Sequence, residues 1–563
     1  MLIDARTLPI NETIETEVCI VGAGPAGITL ARELAFADFR VCLLESGGID
    51  FDKHTQSLAQ GESVGNLFGT LDEQRRLQFG GTANSWKIRL GDNQIGVRYV
   101  PLDEIDFEKR DWLPYSGWPF EKSHLDPFYK RAQVVCKLGA FAYDANTWED
   151  AQTPQLPLSS NVTTSMFQFG PRAVFTHEYR EELNQARNIT TYLNANLMEI
   201  ETDETAKTVT RLRVACLSGN EFWVRAKVVI LAAGGIETAR LLLLSNKGQT
   251  AGLGNQNDLV GRFFMDHPLV SCGKLIPTNP DLFKRTALYD LRRVNNVPVM
   301  GKLTLSEEIM RREKILNNST LLFPIPKPYQ LQAVNSLKTL LSLLHNSEAR
   351  QDVVKHLKSF ITGLDYILPA AYGAITKQQP FIPSLAWGGW SYIRGYESRF
   401  SEFAALHQTE QIPDPDNRIT LSANRDRLGR QQVKLNWRWN DIDIQNIQRT
   451  QDILQKEIAS AGIGQLQVER DGNLPKLIHP GTHHHMGTTR MHDDPKQGVV
   501  DRNCQVHGIT NLFIASSSVF PTGGYANPTL TIVALAIRLA DHVKTVMASK
   551  PIAIVSQNNL FGE

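Results

Sequence analysis

The chain has 563 residues, 42% of them hydrophobic and 21% charged, and its 59 basic and 59 acidic residues give a formal net charge of zero. This length exceeds the roughly 250 to 300 residues at which one hydrophobic core stops growing, so we expect at least two substructures. The balanced charge gives no basis for binding nucleic acid or an anionic membrane.

The sequence has no segment typical of export or of a membrane span. No apolar run reaches about 18 residues, and the start, MLIDARTLPINETIETE, lacks the basic flank and apolar stretch of a signal peptide. We therefore expect a cytoplasmic protein. The six cysteines form no CxxC pair, which favours buried thiols over disulfides or a metal site.

The first predicted elements form a βαβ unit: a strand at 18–21, a helix at about 25–36 and a strand at 41–44. Gly22, Gly24 and Gly27 form a GxGxxG turn, which lets the backbone approach a pyrophosphate at the positive end of the helix. Glu45 follows about 20 residues later, where an acid accepts hydrogen bonds from a ribose diol. An acid at this point favours FAD or NAD; a tight turn beside a solvated glutamate is the alternative.

Later segments repeat parts of this pattern. The run VVILAAGGIETARLLLLS, after Lys227, predicts a strand, a double-glycine turn and a helix, and the stretch 482–542 contains a strand at 512–515 and a helix at 528–543. The nucleotide-binding part is therefore expected to assemble from distant pieces. Between about 275 and 475, predicted helices at 331–344 and 353–368 and a strand at 433–439 indicate an inserted domain. The two helices could instead form a membrane or partner surface.

The C-terminal stretch from HHHMGTTRM at 483–491 to ANPT at 526–529 resembles the signature of the glucose-methanol-choline (GMC) oxidoreductase family. The segments FGGTANSW (79–86), AAGGIETARLLL and NDLVGRFFMDHP (257–268) follow the family order, and only about 280–400 lacks a match. The variants are most similar to pyranose oxidases and bacterial sugar or glycoside dehydrogenases. The resemblance implies an FAD-dependent enzyme that removes hydride from a CH–OH group of a sugar, glycoside or polyol.

Two other functions remain open. The family includes hydroxynitrile lyases, which bind FAD without net redox chemistry, and a flavin-loaded binding protein without turnover is a third class. The electron acceptor, whether oxygen, a quinone or a protein, is also open. A monooxygenase would require a second nicotinamide fingerprint, which we do not find in the sequence.

The fold expected from these features is α/β, or α+β overall. It combines a Rossmann-like FAD-binding domain, built from discontinuous segments, with an inserted substrate domain containing an antiparallel sheet and helices. The predicted ranges are 1–150, 190–274 and 480–563 for the FAD-binding part, and 151–189 and 275–479 for the substrate-binding part.

The resemblance also implies two catalytic residues. The family motif HxxGTxRM falls on His484, and the Asn of ANPT is Asn527. A neutral imidazole, with an ordinary pKa of about 6.5, can take the hydroxyl proton while an amide holds the oxygen. A metal site at His483, His484 and His485, with His492 and His507 nearby, is the rival interpretation. We expect no metal, because consecutive side chains in an extended segment point to alternate faces.

The remaining implied contacts hold the flavin nucleotide. Some relatives carry a covalently linking histidine in the segment that matches FGGTANSW, where this chain has Ser85, so we expect noncovalent FAD. Ser516 stands where many relatives have an aspartate. The full set of expected FAD contacts is Gly22, Gly24, Gly27, Glu45, Ser46, Gly80, Gly81, Asn84, Ser85, Trp86, Leu197, Ala233, Gly234, Ser516, Pro528 and Thr529.

Overall fold

The computed structural model describes residues 1–549 except 36, 67, 92, 344–351, 378–380, 385 and 394. The predicted helix ends at Phe36 and Leu344, and the last part of the range 480–563, lie outside the described residues. Two large sheets and a small one carry the fold.

The first sheet contains the N-terminal βαβ unit and is mostly parallel. Its strands, in spatial order, are Leu2–Asp4, Ile189–Leu193, Val41–Leu44, Thr13–Val21, Glu221–Leu231, Val209–Ala215 and Asn196–Thr202, with Leu512–Ile514 beside Glu221–Leu231. The pairs around Val209–Ala215 are antiparallel. Central strands read as continuous apolar runs because helices or strands cover both faces; Ile230 and Leu231 are fully buried.

Three of these strands end at one level. Leu231 is in register with Val21 on one side and with Ile514 on the other. The turns that follow them, which begin at Gly22, Ala232 and Ala515, therefore meet at the carboxyl edge of the sheet. This edge is where ligands bind in open α/β sheets, and the three predicted segments reassemble here as expected.

The second sheet is antiparallel throughout its described pairings and forms the core of the inserted part. Its strands, in spatial order, are Arg470–Asp471, Leu474–His479, Leu269–Pro277, Phe400–Thr409, Asn318–Pro326, Val297–Leu305, Val162–Pro171, Gln94–Tyr99 and Ile88–Gly91; Arg292–Val294 pairs with Val297–Leu305, and Gly464–Gln467 with Leu269–Pro277. The antiparallel sheet predicted for the substrate domain is confirmed. The numerical domain boundaries stay a prediction.

The small sheet joins the strands Arg418–Arg425, Gln431–Trp437 and Gly61–Gly65. It contains the strand predicted at 433–439. A buried ion pair joins its hairpin to the first domain, because Arg240 on the helix Gly234–Leu244 contacts Asp426 at 2.8 Å. Within the hairpin, Arg430 contacts the same carboxylate at 2.9 Å.

The α-helices of the described chain are Pro25–Leu34, Lys53–Gln56, Glu104–Phe107, Lys122–Val135, Tyr179–Gln185, Gly234–Leu244, Glu307–Glu313, Pro328–Leu343, Val353–Thr362, Leu364–Lys377, Asp441–Ser460 and Thr529–Ser549. The segment predicted to be helical at 353–368 contains parts of two helices, because Gly363 ends the first. The six cysteines are buried and free, as predicted. Within the described residues, no helix is long and apolar enough to cross a membrane.

Candidate active site

The two glycine segments expected to hold the dinucleotide lie against each other. The Gly80 N–H donates to the Ala23 carbonyl at 2.8 Å. Gly81 has a φ of +53°, and a Cβ there would approach the Gly24 Cα to 2.9 Å, so only glycine fits this crossing. The contact lies beside the first turn of the helix Pro25–Leu34, whose free N–H groups suit a phosphate.

Glu45 organises the same turn. Its carboxylate accepts the N–H groups of Ala23 and Gly47, both at 2.9 Å. Burial raises the pKa of Glu45, and these backbone N–H groups oppose that shift. Ser46 follows directly in the chain. A carboxylate offers about four acceptor sites, so Glu45 can hold the turn and still accept a ribose hydroxyl.

The other predicted contacts occupy three places around this edge. Asn84 closes its own turn by donating to the Phe79 and Gly81 carbonyls, and the Ser85 hydroxyl accepts from Arg76 Nε at 3.2 Å. Trp86 packs edge-on against Tyr99 and Phe175. The Leu197 carbonyl, farther along the sheet, accepts from Arg430 Nη1 at 2.9 Å.

Two further turns complete this edge. Gly234 has a φ of +78°, and a Cβ added there would meet nothing within 4 Å, so its surface is open; Ala233 precedes it as the helix N-cap. Ser516 follows the strand Leu512–Ile514 and caps the next turn by accepting from the Ser518 N–H at 3.1 Å. These open glycine surfaces, the helix terminus and the acid at the strand edge fit a dinucleotide such as FAD.

His484 and Asn527, predicted from separate motifs 43 residues apart, are in contact. Asn527 Nδ2 lies 3.1 Å from His484 Nε2. Asn527 is 3% exposed and directly precedes Pro528 and the helix Thr529–Ser549, whereas His484 is partly exposed. An imidazole and an amide therefore lie within hydrogen-bond distance of each other.

A chain of hydrogen bonds fixes the orientation of both groups. Arg98 Nη2 donates to Gln408 Oε1 at 3.0 Å, and Gln408 Nε2 donates to the Tyr525 carbonyl at 2.7 Å and to Asn527 Oδ1 at 3.3 Å. Guanidinium only donates and a carbonyl only accepts. The Asn527 amide must therefore present its NH₂ group to His484, whose Nε2 accepts and is unprotonated.

The other ring nitrogen of His484 carries the proton of this tautomer. Nδ1 lies 2.8 Å from Thr482 Oγ1 and 2.9 Å from His267 Nδ1. Thr482 Oγ1 itself donates to the His267 carbonyl at 3.3 Å, so its lone pairs face His484. Burial holds the pKa of His484 well below its ordinary value, and electrostatic repulsion from neighbouring groups, above all His267 and Arg98, lowers it further.

Asp266 shapes the loop that presents this histidine. Its buried Oδ1 accepts the N–H groups of His267 at 2.6 Å, Thr482 at 2.8 Å and His484 at 3.1 Å. Burial raises the pKa of Asp266 to about 7 even against these N–H groups. One carboxylate therefore joins the segment before Pro268 to the HHH segment.

The three consecutive histidines diverge. His483 has a φ of +64° and is exposed, so the segment turns here and is not the extended chain assumed from the sequence. His485 is buried against Phe68 and Phe264, with Nε2 at 3.9 Å from Asp266 Oδ2. No cluster of three or more potential metal ligands occurs in the part of the chain that the structure describes.

Comparison with known proteins agrees with this architecture. Residues 413–536 match the GMC oxidoreductase family model, and residues 15–58 match an FAD-binding domain model. A 2-methyl-1,2-propanediol dehydrogenase of Mycolicibacterium austroafricanum is 23% identical over 94% of this chain and 95% of its own length. These matches identify residues 413–536 as a GMC oxidoreductase domain and show that the rest of the chain resembles members of that family.

Two further relatives match over shorter parts of the chain, and one solved structure shares its fold. The fructose dehydrogenase large subunit of Gluconobacter japonicus is 26% identical over 57% of the chain and 47% of its own length. Paromamine 6′-oxidase of Streptomyces fradiae is 32% identical over 25% and 26%. Formate oxidase of Aspergillus oryzae RIB40 shares the fold, with a TM-score of 0.51, 16% identity and coverage of 96% of this chain and 100% of its own.

Sequence reasoning missed the residues that surround His484 and Asn527. His267 and Asp266 lie in the NDLVGRFFMDHP segment, which was recognised as a family motif without a role for its side chains. Thr482 directly precedes the three histidines, and this position in the sequence is the local signal that could have identified it. Arg98 and Gln408 lie in segments without a motif, and only the folded sheet brings them to Asn527.

Proposed function

We propose that this protein oxidises a CH–OH group of a sugar, glycoside or polyol, with His484 as general base and Asn527 holding the substrate oxygen. The observation that carries the proposal is the oriented contact between Asn527 Nδ2 and the unprotonated Nε2 of His484. The names of the relatives, which include a propanediol dehydrogenase and a fructose dehydrogenase subunit, support an alcohol or sugar substrate.

In this proposal, the substrate hydroxyl donates to His484 Nε2 and accepts the second N–H of Asn527. Oxidation of an alcohol carbon removes a hydride and a proton, and bound FAD supplies the hydride acceptor. His484 takes the proton at Nε2 as negative charge develops on the oxygen, and the Asn527 amide stabilises that charge. The resulting imidazolium keeps its Nδ1–H directed at Thr482 and at the neutral ring of His267.

The low pKa of His484 has a specific benefit and a cost. It keeps the base neutral over the whole neutral pH range, so no fraction of the enzyme is inactivated by protonation. It also makes the imidazolium a strong acid, which must release the proton before the next turnover. Hydride departure and proton transfer are therefore expected to be closely coupled.

We further propose that FAD is bound noncovalently, through the residues at the carboxyl edge of the first sheet. Ser85 takes the place of the linking histidine of some relatives. Serine has no imidazole nitrogen to form the histidyl bond, and its hydroxyl accepts a hydrogen bond from Arg76. Protein denatured in acid should precipitate without colour and leave the flavin in the supernatant. A yellow precipitate would contradict this part.

The main test is anaerobic reduction of the purified holoenzyme. Sugars, glycosides, polyols and simple alcohols are added separately, and bleaching of the oxidised flavin band is recorded. The proposal requires at least one of them to bleach the flavin in the first turnover. Cleavage of a cyanohydrin without bleaching would instead identify a lyase. Reoxidation by oxygen, a quinone or an electron-transfer protein then identifies the acceptor.

A further inference from the structure

The helices Pro328–Leu343, Val353–Thr362 and Leu364–Lys377 carry an exposed apolar surface. Twenty large hydrophobic side chains of the described chain are exposed, and nine of them lie between Tyr329 and Ile375. This range is less than a tenth of the 563 residues. Single exposed apolar residues are ordinary, whereas a contiguous exposed patch marks a surface that binds something.

The exposed side chains of the last two of these helices form a single stripe. Gly363 joins the helices without breaking the hydrogen-bond ladder, because its N–H donates to the Ser359 carbonyl at 3.2 Å and its carbonyl accepts the Ile367 N–H at 3.0 Å. Along both helices apolar residues recur every three or four positions, which places them on one face. They form the outer stripe: Val354, Leu357, Ile361, Leu364, Leu368, Tyr372 and Ile375. All but Leu364 are 48% to 82% exposed.

The opposite face of these helices is already packed against the protein. Tyr366, Ile367 and Ala370 are at most 3% exposed and share the core of the inserted part with Ala333 on the helix Pro328–Leu343. A surface helix of a soluble protein normally has polar side chains outside its buried stripe. The helix Leu364–Lys377 is instead apolar on both faces, so its outer face suits a second apolar environment.

The charges around the outer stripe are mostly positive. The range 327–377 has six Lys and Arg residues and three Asp and Glu residues, although the whole chain is neutral. Lys355 and Lys358 are exposed on the same helix as the first part of the stripe. One of the acids, Asp365, accepts a hydrogen bond from the Tyr329 hydroxyl at 2.7 Å. The stripe is therefore an apolar surface with a basic margin.

We propose that the outer stripe binds the surface of a membrane that contains anionic lipid. A helix with an apolar face and lysines beside it lies in the plane between headgroups and acyl chains, and the lysine stems reach up to the lipid phosphates. The stripe extends roughly 30 Å along the helices, which fits an extended surface better than a small ligand. The local excess of Lys and Arg supplies the attraction that the neutral charge of the whole chain does not.

The helices would lie on the membrane and not cross it. They have 10 and 14 residues, whereas a helix that spans a bilayer needs about 20. A second copy of the chain fits the outer stripe less well. A two-fold interface presents the same patch on both subunits and would bring one basic margin against another.

The test is co-sedimentation of the purified full-length holoenzyme with lipid vesicles. One set contains phosphatidylcholine alone, and the other an equal mixture of phosphatidylcholine and phosphatidylglycerol. The basic margin predicts binding to the mixed vesicles that is about tenfold to a hundredfold tighter than to the neutral ones. Added salt should reduce this preference, because it screens exposed charges.

Variants then locate the binding surface. Val354 and Ile375 are each 82% exposed, so the double variant Val354→Gln/Ile375→Gln should fold normally and bind mixed vesicles at least about tenfold more weakly. Lys358→Glu should reduce the preference for phosphatidylglycerol by about tenfold. Val134, which is 75% exposed, and the exposed Lys130 on another helix give the matched control. Val134→Gln/Lys130→Glu should bind as the wild type does.

Four outcomes overturn the proposal. They are no binding to the mixed vesicles, equal binding to both kinds of vesicle, wild-type binding by Val354→Gln/Ile375→Gln, and equal loss of binding in the control variant. A concentration-dependent dimer in sedimentation velocity that the Val354→Gln/Ile375→Gln variant abolishes, without vesicle binding, would assign the outer stripe to a second copy. Flavin retention and circular dichroism check that each variant is folded. Vesicle binding requires no turnover, so its result is independent of the proposed oxidation.

Discussion

His484 Nδ1 and His267 Nδ1 lie 2.9 Å apart, and only one of them can carry the proton between them. Since Asn527 requires an unprotonated Nε2 on His484, the proton belongs to His484 Nδ1, and His267 accepts. Burial lowers the pKa of His267 to about 3, so this neighbour stays neutral and available as an acceptor. The geometry of this pair leads to several of the predictions below.

Replacing His484 by Ala should reduce the rate of flavin reduction by about 10² to 10⁴, because a positioned base contributes about that much. Binding of FAD should change far less. Stopped-flow reduction per bound flavin, with a substrate found in the screen, measures both.

His485→Ala is the control for this variant. His485 packs on Phe68 and Phe264 and has no hydrogen bond to Asn527 within the described structure, so its loss should have a mild effect on the reduction rate. If His485 proved essential and His484 dispensable, the catalytic assignment would move by one residue.

Asn527→Ala should slow flavin reduction by about tenfold, as expected for one net hydrogen bond to the developing alkoxide. Asn527→Asp should be slower still, because a carboxylate beside Nε2 would draw a proton onto the base. The same stopped-flow assay ranks the variants. An Asn527→Asp variant as fast as wild type would disprove the proposal that the Asn527 amide donates to an unprotonated Nε2 of His484.

The pH dependence of flavin reduction should reflect the lowered pKa of His484. A base with a depressed pKa stays neutral as pH falls and loses activity only when pH passes below that depressed value. The rate should therefore be level from neutral pH to well below pH 6.5. An acid limb centred at or above pH 6.5 would contradict the assignment.

Glu45→Ala should weaken FAD binding by a few-fold to about tenfold while the fold persists, because hydrogen bonds to the ribose and the turn are local. Flavin retention on dilution measures this. Glu17 is the matched control, since it lies on the neighbouring strand Thr13–Val21, away from the glycine turn, and pairs with Arg40 at 3.0 Å. Glu17→Ala should retain FAD as well as the wild type does.

Stability should fall in acid partly through His407, which lies on the sheet face opposite Gln408 and bonds Thr320 at 2.8 Å. Burial lowers the pKa of His407 to about 3. Between about pH 6.5 and 3 the unfolded chain therefore binds a proton at this residue that the folded chain does not, and the free energy of unfolding falls. His407→Asn should therefore show a smaller drop in Tm between pH 7 and pH 5. An unchanged drop would show that this residue does not contribute.

The sequence determined the nucleotide-binding half of this protein. The GxGxxG turn, Glu45 and the glycine-rich segments are short motifs whose backbone geometry is local, so their structure follows from residue type and order. The strand at 18–21 and the turns after Leu231 and Ile514 met as expected because parallel strands of one sheet end at one edge. Asn527 and His484 were both identified from local motifs.

Only the tertiary structure decided what surrounds that pair. Arg98, Gln408 and His267 reach the site from strands and a loop distant in sequence, and no local pattern records the curvature of the sheet that joins them. The turn at His483 also depends on tertiary contacts, since the carboxylate of Asp266 gathers the N–H groups of two segments. The tautomer of His484 is a consequence of side-chain contacts between distant segments, which a linear sequence does not specify.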